Sequence, residues 1–155
     1  MDKTDSSSDH PHGITLIINS DLKNTVFVAM AVRGLCALTS FTEQEINRIE
    51  LCVVEVVNNA IEHAYAYKAG NDIKVDVWLS PENILHIKVT DYGKNPGKAF
   101  VSPQEKTLAV DADDVGSLQC SGRGLAIIEK IMDGVRYHSE NGNNSVSMWR
   151  AFSGK

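Results

Sequence analysis

The sequence predicts an α+β fold, a two-layer sandwich in which a mixed, mostly antiparallel sheet is covered on one face by helices. Two pairs of segments alternate apolar and polar residues around short turns, which indicates hairpins. Three other segments repeat apolar residues every three or four positions, which indicates helices. Strands linked mainly as hairpins leave the helices to cover one face of the sheet, which argues against a doubly wound parallel fold.

The first half of the chain is predicted to hold one strand and two helices. Residues 14–18 are apolar and β-branched, so they are expected to form a strand. Residues 21–38 are expected to form a helix whose inward side chains include Val26, Met30, Leu35 and Leu38. Thr42 and Glu45 match a capping box that opens a second helix, reaching about residue 66. Its apolar stripe comprises Ile46, Ile49, Val53, Val57, Ala60, Ile61 and Ala64.

The second half is predicted to hold two hairpins. Residues 73–79 and 84–89 alternate on either side of a turn sequence. Residues 135–139 and 145–152 form the second pair, around the turn 141–144.

The two hairpins are separated by a long segment without periodicity, residues 94–121, which precedes a short helix at 125–132. Such a long connection inside a compact domain is typical of active-site lids or disordered loops. Residues 1–12 are polar and are expected to be a disordered tail, leaving 13–155 as a single domain.

Composition argues against several classes of protein. The net charge of −5 argues against a nucleic-acid partner. No apolar run approaches the length of a membrane span, and the start lacks the apolar core of a signal peptide. Cys36, Cys52 and Cys120 show no paired spacing, which is typical of a reduced, cytoplasmic protein.

The second helix carries a polar stripe within an otherwise apolar segment. Glu55 and Asn59 are one helical turn apart, and His63 follows one turn later. A buried carboxylate needs a polar partner, so the stripe is expected to face a polar site. The alternative is the solvated face of an amphipathic helix.

Two glycine segments follow. Asp91 and Gly93 end a predicted strand, where a carboxylate and bare backbone suit close approach to a ligand, although a plain turn has the same composition. Gly122 and Gly124 precede a helix, whose free N–H groups would bind an anion, unless they serve only as a hinge. Neither segment matches a P-loop or a dinucleotide-binding motif.

In this order, the three motifs resemble the ATP-binding fold shared by gyrase, the heat-shock chaperones and the catalytic domain of histidine kinases. The resemblance covers roughly residues 14–152. Within that superfamily the chain is most similar to the bacterial anti-sigma-factor serine kinases of partner-switching systems. Residues 59–65 and 122–133 carry this closer likeness.

The resemblance implies a role for each matched residue. Glu55 would be the catalytic base, Asn59 would bind Mg²⁺ through its side-chain oxygen and help to bind the nucleotide, and Asp91 would accept from the adenine amino group. Gly93 would let the base approach. His63 would either contact the nucleotide or simply pack within the helix.

The resemblance also assigns the phosphate side of the site. Gly122, Arg123 and Gly124, with Leu125, would wrap the phosphates at the helix start, and Ser145 is a looser match near the nucleotide. Residues 94–121 would be the ATP lid.

One departure concerns the G1 box. The position of its second glycine is Asn95 here, and Gly97 follows as the remaining candidate for a nucleotide contact.

The resemblance implies an ATP- and Mg²⁺-dependent protein-serine kinase that acts as an anti-sigma factor. It would bind a sigma factor and phosphorylate a small anti-anti-sigma antagonist on serine, and it would pair as a homodimer, with residues 21–38 as a possible surface. The alternative is a non-catalytic ATP-binding module that sequesters a regulator. A histidine kinase is disfavoured because residues 21–38 contain no phosphoacceptor histidine.

Overall fold

The computed structural model describes residues 12–93 and 124–154. One five-stranded sheet forms the first layer, with strand order β1-β2-β3-β5-β4. Every pairing is antiparallel, so this sheet is wholly antiparallel where the sequence predicted a mixed one. The strands are β1 (Gly13–Asn19), β2 (Asp72–Ser80), β3 (Ile84–Asp91), β4 (Gly134–Glu140) and β5 (Asn143–Ala151).

Helices form the second layer and cover one face of the sheet, which confirms the predicted two-layer α+β class. They are α1 (Thr25–Cys36), α2 (Glu43–Asn59) and α3 (Gly124–Ile131). The core lies between the layers, and its fully buried side chains include Val32, Ile49, Val53, Ile87 and Met148. No helix in the described part of the chain is long and apolar enough to cross a membrane.

Helix α2 begins and packs as predicted. The Thr42 hydroxyl accepts from the Glu45 amide at 3.2 Å, and the Glu45 carboxylate accepts from the Thr42 amide at 2.8 Å, which completes the capping box. The predicted apolar stripe is buried except for Ala64, which is half-buried.

The end of α2 differs from the prediction of a continuous α-helix. A π-helical turn (Ala60–Ala64) follows Asn59, and Ala66 and Tyr67 then have positive φ angles of 48° and 62°. Such φ values are uncommon outside glycine. They end the helix where it reaches the C-terminal end of β3, so this departure bears on the site below.

The prediction for the first helix was wrong in its extent and its inward face. Residues Leu22–Asn24 form a separate 3₁₀ turn, and α1 begins only at Thr25. The buried side chains are Thr25, Val28, Ala29, Val32 and Cys36.

Three of the four residues predicted to face inward are exposed instead. Val26 is 52% exposed, and Met30 and Leu38 are each 66% exposed, whereas Leu35 packs partly against the core. The helix is apolar nearly all round, so its periodicity fits either face.

The last hairpin is tighter than predicted. Asn141 and Gly142 have φ values of 52° and 79°, which indicates a two-residue type I′ turn. Asn143 and Asn144 therefore belong to β5, where Asn144 is the partner of Asp91 on β3.

Candidate functional site

The site lies where the π-helical turn meets the end of β3. A Cβ added at Gly93 would lie 2.7 Å from both the Cβ and the carbonyl oxygen of Ala64. Only glycine allows the strand end to approach the helix this closely. Asn59 is the last residue of α2 and immediately precedes the π-helical turn, so the polar stripe of α2 runs up to this contact.

Asp91 ends β3 as a buried carboxylate that is 7% exposed. Its Oδ1 accepts from the Asn144 side-chain amide at 2.8 Å and from the Gly93 backbone amide at 3.1 Å. The Tyr92 amide between them donates to the Tyr65 hydroxyl at 2.8 Å, and this hydroxyl donates to the Asp72 carbonyl at 2.7 Å. These hydrogen bonds thus hold the segment from Asp91 to Gly93 against both the sheet and the helical layer.

Burial raises the pKa of Asp91 above its ordinary value, and the hydrogen bonds from Asn144 and Gly93 offset only part of that rise. The donors thus favour the ionised form in a place where burial alone would favour the neutral one. An ionised carboxylate is a strong acceptor for an N–H group. Asp91 is therefore suited to accept from a ligand amino group.

Asn59 is distinguished from its neighbour Asn58 by its contacts. The Asn58 side-chain oxygen accepts from the Thr25 hydroxyl at 3.2 Å, so Asn58 ties α2 to α1. Within the described residues, the half-buried Asn59 side chain forms no hydrogen bond. Its amide oxygen therefore remains available to a ligand or cation.

Glu55 lies one turn before Asn59 and is half-buried. Burial raises its pKa, and the negative charge of Glu62 raises it further. Such a carboxylate is a better proton acceptor than an ordinary glutamate. His63 is 16% exposed, with Nε2 at 3.8 Å from the Glu62 carboxylate. Whether His63 contacts a nucleotide stays a prediction.

Ser145 does not lie with the other predicted site residues. It is paired with Thr90 on β3 and His138 on β4, and it lines a polar hollow of about 230 Å³ with them. Because side chains alternate along a strand, Ser145 and Asn144 face opposite sides of the sheet.

The sequence interpretation missed Asn144, which contacts Asp91. The signal was present in the Asn141–Gly142 pair, because a two-residue turn places Asn144 within the strand.

The remaining predicted residues are described in part or not at all. Gly97, Gly122 and Arg123, together with the whole of the predicted lid, lie outside the described residues. Gly124 and Leu125 begin α3, as the motif required.

The donor set suits Mg²⁺ better than a softer metal. In the described part of the chain, no group of three or more histidine, cysteine or acidic side chains could hold a metal by itself. The free amide oxygen of Asn59 is a hard ligand, and Mg²⁺ typically combines one or two protein oxygens with phosphates and waters. The residues present therefore fit Mg²⁺ bound together with a nucleotide.

The comparisons with known proteins identify the family of the domain. Residues 18–150 match the family described as the histidine kinase-like ATPase domain. This match covers most of the chain, and the chain belongs to this family, as the motifs predicted. Membership in an ATPase family implies that the domain binds a nucleotide.

Two curated relatives show which kinds of protein the chain is similar to. The anti-sigma F factor of Clostridium botulinum (strain Eklund 17B / Type B) is 31% identical over 121 residues, which span 78% of this chain and 80% of that protein. The serine-protein kinase RsbW of Listeria monocytogenes serotype 4a (strain HCC23) is 25% identical over 117 residues, spanning 73% of this chain and 71% of that one.

Two solved structures share the fold. The structure of the RsbU and RsbW domains of Rv1364c from Mycobacterium tuberculosis aligns with a TM-score of 0.64 at 17% identity, covering 92% of this chain and 33% of that one. The structure of the SiaB–SiaC complex from Pseudomonas aeruginosa aligns with a TM-score of 0.57 at 13% identity, covering 88% of this chain and 89% of that one. At these identities the similarity concerns the fold alone.

Proposed function

We propose that this protein is an anti-sigma factor and an ATP-dependent protein-serine kinase that phosphorylates a small antagonist protein in a partner-switching system. The observation that carries the proposal is that Glu55, a half-buried carboxylate with a raised pKa, lies one turn before Asn59, whose side chain forms no hydrogen bond within the described residues. The names of the curated relatives, an anti-sigma factor and a serine-protein kinase, support the same function.

Glu55 is the proposed catalytic base. The serine hydroxyl of the antagonist attacks the γ-phosphorus of ATP, its proton passes to the Glu55 carboxylate, and the bond to the β–γ bridging oxygen breaks to release ADP. A general base contributes about 10²–10⁴-fold to such a transfer. The raised pKa brings Glu55 closer to the working pH, and positioning of the phosphates supplies most of the remaining rate.

Asn59 is the proposed protein ligand of Mg²⁺, through its side-chain oxygen. When bound, Mg²⁺ would neutralise charge on the phosphates and align them for transfer. Asp91 would bind the adenine amino group at the other end of the nucleotide. The glycines at 122 and 124 with Arg123 would hold the phosphates, and residues 94–121 would be the lid. We also propose that residues 13–155 form one domain that works in the cytoplasm.

Capture of partners tests this function. The tagged protein is incubated with extract of its native host, with and without Mg-ATP, and the retained proteins are identified and mapped for phosphoserine. We expect a sigma factor, together with a small protein that becomes phosphorylated on serine only when ATP is present. Retention of a sigma factor without phosphorylation of any partner would favour the non-catalytic sequestering module. Retention of neither would overturn the proposal.

We further propose that the protein pairs as a homodimer through α1. The exposed side chains of Val26, Phe27 and Met30, which are 52%, 58% and 66% exposed, lie on one face of that helix. Contiguous exposed apolar residues mark association sites. Sedimentation of Met30→Lys should give a monomer, whereas Leu51→Lys, a change at an exposed leucine of α2, should still dimerise. Equal behaviour of the two variants would exclude this surface.

A further inference from the structure

Asn144 is a buried amide that uses its polar atoms entirely within the protein. It is 2% exposed. Its Nδ2 donates to Asp91 Oδ1 at 2.8 Å and to the Gly93 carbonyl at 3.0 Å, while its Oδ1 accepts from Ser139 Oγ at 2.6 Å. Both hydrogens of the amide are therefore engaged. Asn144 has no donor left for a ligand, so any effect on binding must pass through its neighbours.

The contacts fix which end of the amide faces the site. A carboxylate and a backbone carbonyl only accept hydrogen bonds, so the Asn144 nitrogen must face Asp91 and Gly93. The Ser139 hydroxyl donates to the amide oxygen on the other side and holds that orientation. The Asp91 carboxylate is thus held by Oδ1, and within the described residues its Oδ2 accepts no hydrogen bond. One carboxylate oxygen is left for a ligand.

We propose that Asn144 is a positioning residue for base recognition, which holds Asp91 so that its free oxygen selects a base with an amino group at C6, as in adenine. The inference rests on the proposed function, in which Asp91 binds adenine. Guanine carries an oxygen where adenine carries this amino group, so an ionised and fixed acceptor repels it. Ser139 supports the selection through the Asn144 amide.

The protonation of Asp91 follows the same contacts. Burial raises the pKa of Asp91, and the donors on Asn144 and Gly93 limit that rise. From the helical layer, the titratable side chain of Tyr65 acts on the same region; burial raises its pKa as well, so it stays neutral. Loss of the Asn144 donor therefore raises the pKa of Asp91. A protonated Asp91 would lose its charge and would donate to the guanine oxygen instead of repelling it.

Two variants and one control test the proposal. Asn144→Leu removes both side-chain donors and keeps a side chain of similar size. Ser139→Ala removes the hydroxyl of an exposed residue that orients the Asn144 amide. Ser147→Ala is the control, because Ser147 lies on β5 but faces the opposite side of the sheet from Asn144. ATP and GTP affinities are measured by calorimetry from acidic to neutral pH, and thermal unfolding without nucleotide reports folding.

We expect Asn144→Leu to weaken ATP binding about tenfold and to narrow the preference for ATP over GTP. Its ATP affinity should also begin to fall at a higher pH than in the wild type. Ser139→Ala should narrow the preference for ATP over GTP by about twofold. If Asn144→Leu does not fold, Ser139→Ala provides the test. Ser147→Ala should match the wild type.

If the folded variants keep the wild-type base preference and pH profile, and the wild type binds ATP, then only the proposed role of Asn144 is overturned. A wild type that binds no ATP would overturn the proposed function, and this inference with it.

Discussion

The contact between Gly93 and Ala64 makes a sharp prediction for Gly93→Ala. The added Cβ would lie 2.7 Å from the Ala64 Cβ and from its carbonyl oxygen. Carbon atoms pack best at about 3.5–4.0 Å, so the π-helical turn and the end of β3 must separate by about 1 Å. Overpacking of this kind costs about 1–3 kcal/mol. For a chain of this length, Tm should fall by about 2–12 °C.

The same change should weaken ATP binding, because it displaces the turn that holds Asp91. Calorimetric unfolding and ATP titration of the two proteins measure both effects. Gly34→Ala is the matched control, since a Cβ at this exposed position of α1 meets nothing within 4 Å. Because alanine has the higher helix propensity, Gly34→Ala should raise the free energy of unfolding by about 1 kcal/mol and leave ATP affinity unchanged. Both are measured at dilutions that keep the chain monomeric. A Gly93→Ala protein as stable as the wild type would refute the close approach of the two layers.

Three further predictions follow from individual residues. Glu62→Gln removes a charge that raises the pKa of Glu55, so the acidic limb of the phosphotransfer rate against pH should move to lower pH; an unmoved limb would show that Glu55 is not the titrating base. Burial raises the pKa of the Cys36 thiol to about 11 and that of Cys52 to about 12, so mass spectrometry should find neither alkylated by iodoacetamide in the folded protein at about pH 8. Rapid alkylation of either thiol would contradict its burial. Thr42→Ala removes the cap of α2 and should lower the free energy of unfolding in urea by about 1 kcal/mol, and an unchanged midpoint would show that the capping box does not stabilise the helix.

The fold class was predictable because its main signals are local. The capping box at Thr42 and Glu45 and the apolar stripe of α2 each depend on a few neighbouring residues. The π-helical turn was not predictable, because no local pattern in the sequence marks it, and its close contact with Gly93 appears only in the folded chain. That contact joins residues far apart in the chain.

The inward face of α1 shows a limit of periodicity. A helix with one apolar stripe identifies its buried face, but α1 is apolar on both sides and contains Val28 and Val32 on one and Val26 and Met30 on the other. In the folded protein, Val28 and Val32 are the pair that packs into the core. The exposed second pair is the surface that we propose for dimerisation.

The candidate site was predictable to the extent that its residues stand in motifs. Glu55, Asn59 and Asp91 were predicted as candidates, and the structure places Asp91 and the end of the α2 stripe on either side of one contact. Ser145 was predicted from a loose match to a position near the nucleotide in the family that the sequence resembles. The tight turn extends β5 by two residues, so the side chain that reaches Asp91 is that of Asn144.

The most direct test of the central claim is phosphate transfer by Glu55→Gln. ATP affinity and the rate of transfer to the captured antagonist are measured for the wild type, for this variant and for Glu43→Gln, which makes the same change at a carboxylate that is 81% exposed at the start of α2. We predict that transfer by Glu55→Gln falls about 10²–10⁴-fold while ATP affinity is retained, and that Glu43→Gln is unaffected. Transfer at the wild-type rate by folded, ATP-binding Glu55→Gln would contradict the assignment of Glu55 as the catalytic base.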